Sequence, residues 1–367
     1  MAAFLLSAPV SAQGFFEVPA QSNFNGGFPT PPDSGWSYTI YAGGHLYGAH
    51  NNAQSIYPAA SFLGNIHRLN QRPAQAFIAL GDIVRDGQDS LQLQAIVQAT
   101  KALKVPFYNA PGNHDIAGGD RYLKRFGHQV GTMFQKKGHD VQARFYIGDD
   151  LFLILNTEHL LSGNTDKILE FLSFEMARAK SRLNGVRHIF VFTHRLLWPV
   201  CVDAFAEMDA YLNEPLAPKV DREKTCAIFD RIAGFKPKGE TYFFAGDIGA
   251  DWSLPIFYDK DPDRGWHYLA CGLNDSRRDA LLKMEVNPEG KVILGTFPLG
   301  EARYSPLKDY NLAHWKAHFE KSPPESTGLV GRIMGLFGKK AFWAGGLAGL
   351  GLMLGFGFLW RRMRKRA

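Results

Sequence analysis

Apolar positions along the chain fall into short unbroken runs separated by stretches of helical period. SYTIYA (37–42), AFIAL (76–80) and VPFYNA (105–110) have the form of buried strands bounded by Gly, Pro or Asn. Between them, residues 53–69 and 89–103 carry helical spacing. ARFYIGDDLFLILNT (143–157) predicts a hairpin turning at Gly148-Asp149. Residues 165–184 predict a long helix with Ile168, Leu172, Met176, Ala179 and Leu183 on one face and Gly185 as its stop. HIFVFT (188–193) and TYFFAG (241–246) predict two more buried strands, with an irregular insert between them at 199–239. Three or four strands follow, to about Phe297. Apolar strands alternating with helices imply an α/β domain whose sheet is covered on both faces.

The flanks read differently. Residues 13–35, rich in Gly, Pro, Ser and Asn, predict an extended lead-in, and the domain proper spans 36–298. Residues 299–340 are polar and contain Pro, as a linker does. Residues 341–360 form a run of 20 without charge, opening at Phe342 and Trp343 and closing at Trp360. That length covers a hydrocarbon core of ~30 Å at ~1.5 Å per residue, so the run predicts a transmembrane helix with aromatic anchors. The basic block that follows, 361–367, predicts a cytoplasmic C-terminus and an exoplasmic or periplasmic body. At the other end, Ala2–Leu6 and then Val10-Ser11-Ala12 read as a signal peptide, residues 1–12, without a basic start.

Charge narrows the partners. The net charge is +6, but seven basic residues and no acidic one lie from Lys339 onward. The remainder carries 34 basic against 35 acidic residues, so the body is neutral and no nucleic-acid partner is expected. Of three cysteines, none has zinc-site spacing; Cys201 and Cys226 are candidates to pair in an oxidising compartment, and Cys271 reads as a buried thiol.

Polar residues stand directly after five of the predicted strands: His45, Asp82, Asn113, His194 and Asp247. In α/β architectures the carboxyl ends of strands converge on one crevice. One such residue reads as a turn or cap; five of metal-ligand type read as a site. The sharpest pieces are Gly81-Asp82-Ile83-Val84-Arg85-Asp86-Gly87 and Gly112-Asn113-His114-Asp115. With these, residues 36–298 resemble the calcineurin-like metallophosphoesterases, whose pattern is D-x-H, G-D, G-N-H-[DE], a lone His after a strand, and G-H-x-H. The resemblance implies a four-layer α/β/β/α sandwich and hydrolysis of phosphate mono- or diesters by a metal-activated water. It implies that Asp82, Asn113 and His194 hold metal, that His114 protonates the leaving oxygen or stabilises charge on the phosphoryl group, and that Asp115 orients the His114 ring.

Two motifs depart from the pattern. D-x-H has become Gly43-Gly44-His45, and G-H-x-H has become Gly246-Asp247-Ile248-Gly249. Both outright losses fall on the same metal of the family's pair. The expectation is therefore about one divalent metal per chain, held by Asp82, Asn113, His194 and Asp247, with His45 as a weak ligand or substrate contact. The oxygen-rich set favours manganese, iron or magnesium over zinc. Arg195 and Asn51 are the candidate substrate contacts; His50, Asn52, His159, Trp198 and Trp252 have weaker claims. The expected function is a membrane-anchored phosphoesterase acting on a phosphorylated substrate. The alternative is a catalytically silent envelope protein that binds an acidic or phosphorylated ligand or an assembly partner.

Overall fold

The computed structural model describes residues 21–29, 37–49, 56–72, 74–130, 138–248 and 254–321. The chain divides into two units, residues 1–315 and 316–367; of the second, only the end of one helix is described. The first part of unit one runs β1 (Tyr38–Gly43), α1 (Ala60–Leu63), α2 (Ile66–Asn70), β2 (Ala76–Ala79), α3 (Ser90–Ala102), β3 (Phe107–Asn109), α4 (Asn113–Ile116) and α5 (Arg121–Phe126). It continues through β4 (His128–Val130), β5 (Gly138–Asp140), β6 (Ala143–Ile147), β7 (Asp150–Ile154), α6 (Glu158–Leu161), α7 (Thr165–Lys180) and β8 (Ile189–Phe192). Then come α8 (Trp198–Cys201), α9 (Arg222–Ala233), β9 (Thr241–Ala245), β10 (Ile256–Lys260), β11 (His267–Cys271), β12 (Ala280–Val286), β13 (Val292–Pro298) and α10 (Leu312–Lys321).

Two mixed sheets form, ordered β13-β12-β1-β2-β3 and β10-β11-β9-β8-β7-β6. β1, β2 and β3 are mutually parallel, as are β7, β8, β9 and β11. The two-residue period of each strand sorts its side chains between layers. Tyr38 meets Phe152, and Tyr108 stacks on Phe145, so these faces pack sheet on sheet. The opposite residues of the first sheet, Tyr41, Phe77, Phe107 and Leu281, join Phe62, Leu69, Leu93 and Ile96 of α1, α2 and α3 in one core. On the outer face of the second sheet, Phe229 of α9 stacks on Phe243. The layering is helix, sheet, sheet, helix; each predicted strand forms, while the short antiparallel pair β4–β5 was not among the predicted strands.

Helices were less legible. The helix predicted at 53–69 is two short ones, α1 and α2, interrupted at Gly64-Asn65; Pro58 disfavours helix just ahead of them, and 53–55 lie outside the described residues. The predicted helix 165–184 ends at Lys180, because Leu183 is fully exposed and has no apolar partner to hold the last turn. Within the supposedly irregular insert, α9 buries Thr225, Ile228, Phe229 and Ile232 on one face, and Cys201 is bonded to Cys226. The lead-in is not merely extended: Phe24 stacks on Phe126 at 4.3 Å between ring centroids, and Asn25 donates to the Val105 carbonyl at 2.7 Å.

The predicted linker also needs correction. Leu307 and Trp315 are buried, and Trp315 Nε1 donates to the Ile256 carbonyl at 3.1 Å, extending the first unit beyond 298. The apolar run 341–360, the basic tail and the signal-peptide segment lie outside the described residues. Among the described residues no helix is long and apolar enough to cross a membrane. Trp315 stands edge-on to Phe257 at 5.9 Å and buries its whole indole. Trp315→Ala should therefore cost about 3–5 kcal/mol of unfolding free energy, read by denaturant titration; a loss below about 1 kcal/mol would return this stretch to the status of linker.

Candidate metal centre

The five polar residues stand where two sheets end together. His45 follows β1, Asp82 follows β2, Asn113 and His114 open α4 after β3, His194 follows β8 and Asp247 follows β9. The sheets are tied at this edge by a parallel bridge between Gly44 and Gly272. Gly44 lies so close to Gly246 that a Cβ would strike the facing backbone.

The loop after β2 is unusual in its backbone. Gly81 has φ +87°, and a Cβ there would run into the His194 imidazole. His45 and Asp82 also lie in the left-handed region, at φ +51° and +55°, a conformation costing L-residues roughly 1–2 kcal/mol each. What holds this loop is Asp115. Its Oδ2 accepts from the N–H groups of Asp82 (2.9 Å) and Gly112 (2.9 Å) and from Asn109 Nδ2 (3.0 Å). Its Oδ1 accepts from the N–H groups of Ile83 (2.9 Å) and Val84 (3.2 Å). Burial pushes the Asp115 carboxyl pKa up, against these donors.

Asp115 therefore does not have the role expected of it. The His114 ring is oriented by the Arg85 carbonyl, 2.8 Å from Nδ1. A carbonyl only accepts, so Nδ1 carries the hydrogen and Nε2 is the nitrogen left to exchange a proton.

Four donors converge beyond the loop. His45 Nδ1 is 3.8 Å from Asp82 Oδ2; His194 Nε2 is 3.6 Å from Asp82 Oδ1 and 3.1 Å from Asn113 Oδ1. The ligand atoms of His45, Asp82 and His194 all lie within 4.8 Å of one another. His194 Nδ1 donates to the Leu80 carbonyl at 2.8 Å, which turns an unprotonated Nε2 toward the two oxygens. Burial lowers the His194 pKa to about 3, so the ring is neutral near pH 7. Burial also raises the Asp82 carboxyl pKa well above the usual range. A neutral imidazole lone pair, an amide oxygen and a buried carboxylate facing one another are a donor set that a divalent cation fits. His45 is thus a full member of this cluster.

Asp247 is turned elsewhere. Its Oδ2 is bound by Arg195 Nη1, and its Oδ1 stands 3.7 Å from His45 Nε2. Burial opposes its ionisation, yet His45, His194 and Arg195 outweigh that and hold its pKa below the ordinary carboxylate range. Arg195, expected to face substrate, is 2% exposed and consumed by carboxylates. His159 instead pairs with Asp140 at 2.8 Å, away from the ligand cluster. Trp198 is fully buried against Tyr268. Asn51, His50, Asn52, Gly249 and Trp252 lie outside the described residues.

Residues that sequence reasoning passed over complete the site. Tyr47 packs between the His45 and His114 rings, at 5.5 and 5.0 Å between centroids. Asn109 accepts from Gly81 N–H at 3.1 Å and donates to Asp115. A polar residue within an apolar strand was the one available signal for Asn109. Glu158 and Glu214, which bind Arg195, carried none. The missing Asp of the first motif also has a structural counterpart: a Cβ on Gly43 would come within 2.6 Å of Leu281 Cδ2. The crowding atom is the outer end of the Leu281 side chain, which would have to shift to admit an Asp there.

The calcineurin-like phosphoesterase family model matches residues 50–217. No curated protein matches the chain. Among solved structures, a dimetal phosphatase from Danio rerio is similar at 13% identity, covering 72% of this chain and 97% of that one, with a TM-score of 0.47. A purple acid phosphatase from yellow lupin seeds is similar at 12% identity, 76% and 54% coverage and a TM-score of 0.47. An NAD nucleotidase from Haemophilus influenzae is similar at 12% identity, 71% and 55% coverage and a TM-score of 0.37.

The network separates two neighbouring side chains. Asp115→Ala leaves five N–H donors without their acceptor and should lower stability by more than about 3 kcal/mol. His114→Ala removes a half-buried ring with one backbone bond and should cost less than about 1.5 kcal/mol. Paired denaturant curves check the ranking; equal losses would mean that Asp115 does not hold the loop.

Proposed function

We propose, from the premise that the chain belongs to the calcineurin-like phosphoesterase family, that it is a metal-dependent hydrolase of phosphate mono- or diesters working with one divalent cation. The observation that carries this reading is the convergence of His194 Nε2, Asn113 Oδ1 and Asp82, with the His114 backbone N–H bonded to Asp82 Oδ1 at 3.0 Å. That bond puts His114, the candidate acid, directly beside the ligand cluster. A purely structural cation has no need of a neighbouring imidazole held by one nitrogen with the other left to exchange.

His45, Asp82, Asn113 and His194 would hold the cation. When bound it would supply Lewis-acid polarisation of a phosphoryl oxygen. The protein's own part is then positional. The Leu80 carbonyl fixes the His194 tautomer, Asp115 fixes the Asp82 loop, and the Arg85 carbonyl fixes His114 so that Nε2 delivers a proton to the departing oxygen. Tyr47 packs against the His114 ring and limits its swing. The glycines at positions 43 and 249, where the family's first metal has an Asp and a His, support a count of one cation over two. Two imidazole nitrogens and two oxygens in the donor set support iron, manganese or zinc over magnesium.

We infer further that the domain works on the exoplasmic side of a membrane, anchored by residues 341–360 with the basic block 361–367 cytoplasmic. The run of 20 uncharged residues followed by Arg361 and Arg362 supports this, as does the Cys201–Cys226 bond, which suits an oxidising compartment.

The activity test is a panel of phosphomonoesters and phosphodiesters with Mn²⁺, Mg²⁺ or Zn²⁺ added, alongside elemental analysis. The expected result is turnover with about one equivalent of metal. Asp82→Asn should lower metal content, whereas His114→Ala should retain metal and lose turnover by about 10²-fold or more. Ligand binding without turnover under every metal would favour the silent alternative. For location, intact cells treated with an external protease should lose the domain and keep the C-terminal tail; a protected domain would overturn the topology.

A further inference from the structure

Arg195 follows the His194 ligand directly, yet its guanidinium turns away from the cluster. Nε and Nη2 grip Glu158 at 2.6 and 3.2 Å; Nη1 reaches Glu214 Oε2 at 3.1 Å and Asp247 Oδ2. Its backbone is held as well, N–H to Thr157 Oγ1 at 3.1 Å and carbonyl to Thr193 Oγ1 at 2.9 Å. The side chain is 2% exposed and each of its three nitrogens is engaged, so it is not poised to swing onto a substrate. Asp247 is the partner that matters. It follows β9 at the same sheet edge as the ligands, and its Oδ1 stands 3.7 Å from His45 Nε2. The tight cluster nonetheless comprises His45, Asp82 and His194 without it. A buried carboxylate must be met by a full set of hydrogen-bond donors, a cationic side chain or a metal. Here the guanidinium meets it.

We propose that Arg195 is a resident cation of the site: a positioning residue that takes up Asp247 and so keeps that carboxylate from recruiting a metal of its own. Glu158 and Glu214 anchor the guanidinium in place, the first from α6 and the second from the insert that the Cys201–Cys226 bond ties to α9. A fixed covalent cation at this position has a consequence that a bound ion does not. It is indifferent to metal supply, and it limits the site to the single cation held by His45, Asp82, Asn113 and His194. The inference rests on reading that cluster as a metal site.

The test uses the full chain, loaded with Mn²⁺ and dialysed, with metal equivalents from elemental analysis and affinity from calorimetry. Unmodified protein should hold one equivalent, and Asp247→Asn should leave it in place. Arg195→Gln frees Asp247 and should add a second equivalent or tighten Mn²⁺ binding at least tenfold. Arg195→Gln with Asp247→Asn should cancel the gain, and Arg195→Lys, which keeps the charge, should resemble the unmodified chain. Melting curves identify any variant that fails to fold, and Asp247→Asn alone then decides. Loss of the metal in Asp247→Asn, or unchanged equivalents and affinity in a folded Arg195→Gln, would overturn the role given to Arg195 while leaving the one-metal reading intact. An unmodified chain that binds no Mn²⁺ would instead remove the metal reading itself, and the inference with it.

Discussion

One carboxylate holds the site together. Asp115 accepts five N–H donors, four of them backbone groups from the ends of β2 and β3. The loop it ties includes Asp82 in the left-handed region, a conformation that costs an L-residue roughly 1–2 kcal/mol and that Asp adopts more readily than most. Because Asp82 is set there, its carboxylate points across the gap toward His194 rather than out along the strand. The His114 N–H then closes on Asp82 Oδ1, linking the α4 turn to the same carboxylate. A buried anion, pushed toward neutrality by its surroundings, is here the mechanical joint between two parallel strands.

The second constraint is charge. The crevice gathers Asp82, Asp115, Asp247 and Glu158, all buried or nearly so, and Glu214 at its margin. They meet three kinds of counter-group: N–H dipoles for Asp115, the Arg195 guanidinium for Asp247, Glu158 and Glu214, and, in the proposed reading, a divalent cation for Asp82. This division explains why neighbouring residues in sequence, His194 and Arg195, face in opposite senses. His194 presents a neutral nitrogen to the ligand cluster; Arg195 presents its charge to the carboxylates behind it.

The outer frame serves this arrangement. Close packing of the two sheets through Tyr38, Tyr108, Phe145 and Phe152 brings their carboxyl ends to one edge. The Gly44–Gly272 bridge and the clearance between Gly44 and Gly246 allow the backbones to approach there. α9 and the Cys201–Cys226 bond fasten the insert that carries Glu214, so a residue distant in sequence becomes part of the electrostatic surroundings of Asp247.

Strand positions, the hairpin at Gly148-Asp149 and the five polar residues at strand ends were legible in the sequence alone, because strand burial is written in a local two-residue period and a site at strand ends is written directly after it. That Asp82, Asn113 and His194 gather at one edge was legible for the same reason; the metal-holding role expected of them came from the family resemblance. Where side chains point was not. The family resemblance implied that Asp115 orients the His114 ring; only the folded loop shows its oxygens committed to the donors beneath Asp82. Arg195 stands next to His194, which suggested contact with substrate; its partners Glu158, Glu214 and Asp247 lie 37, 19 and 52 residues away, and no local pattern encodes them. Leu281 fills the space beside Gly43 from another strand. Local periodicity sets elements and their ends, whereas the pairing of buried charges depends on which distant segments share a cavity, and tertiary packing alone decides that.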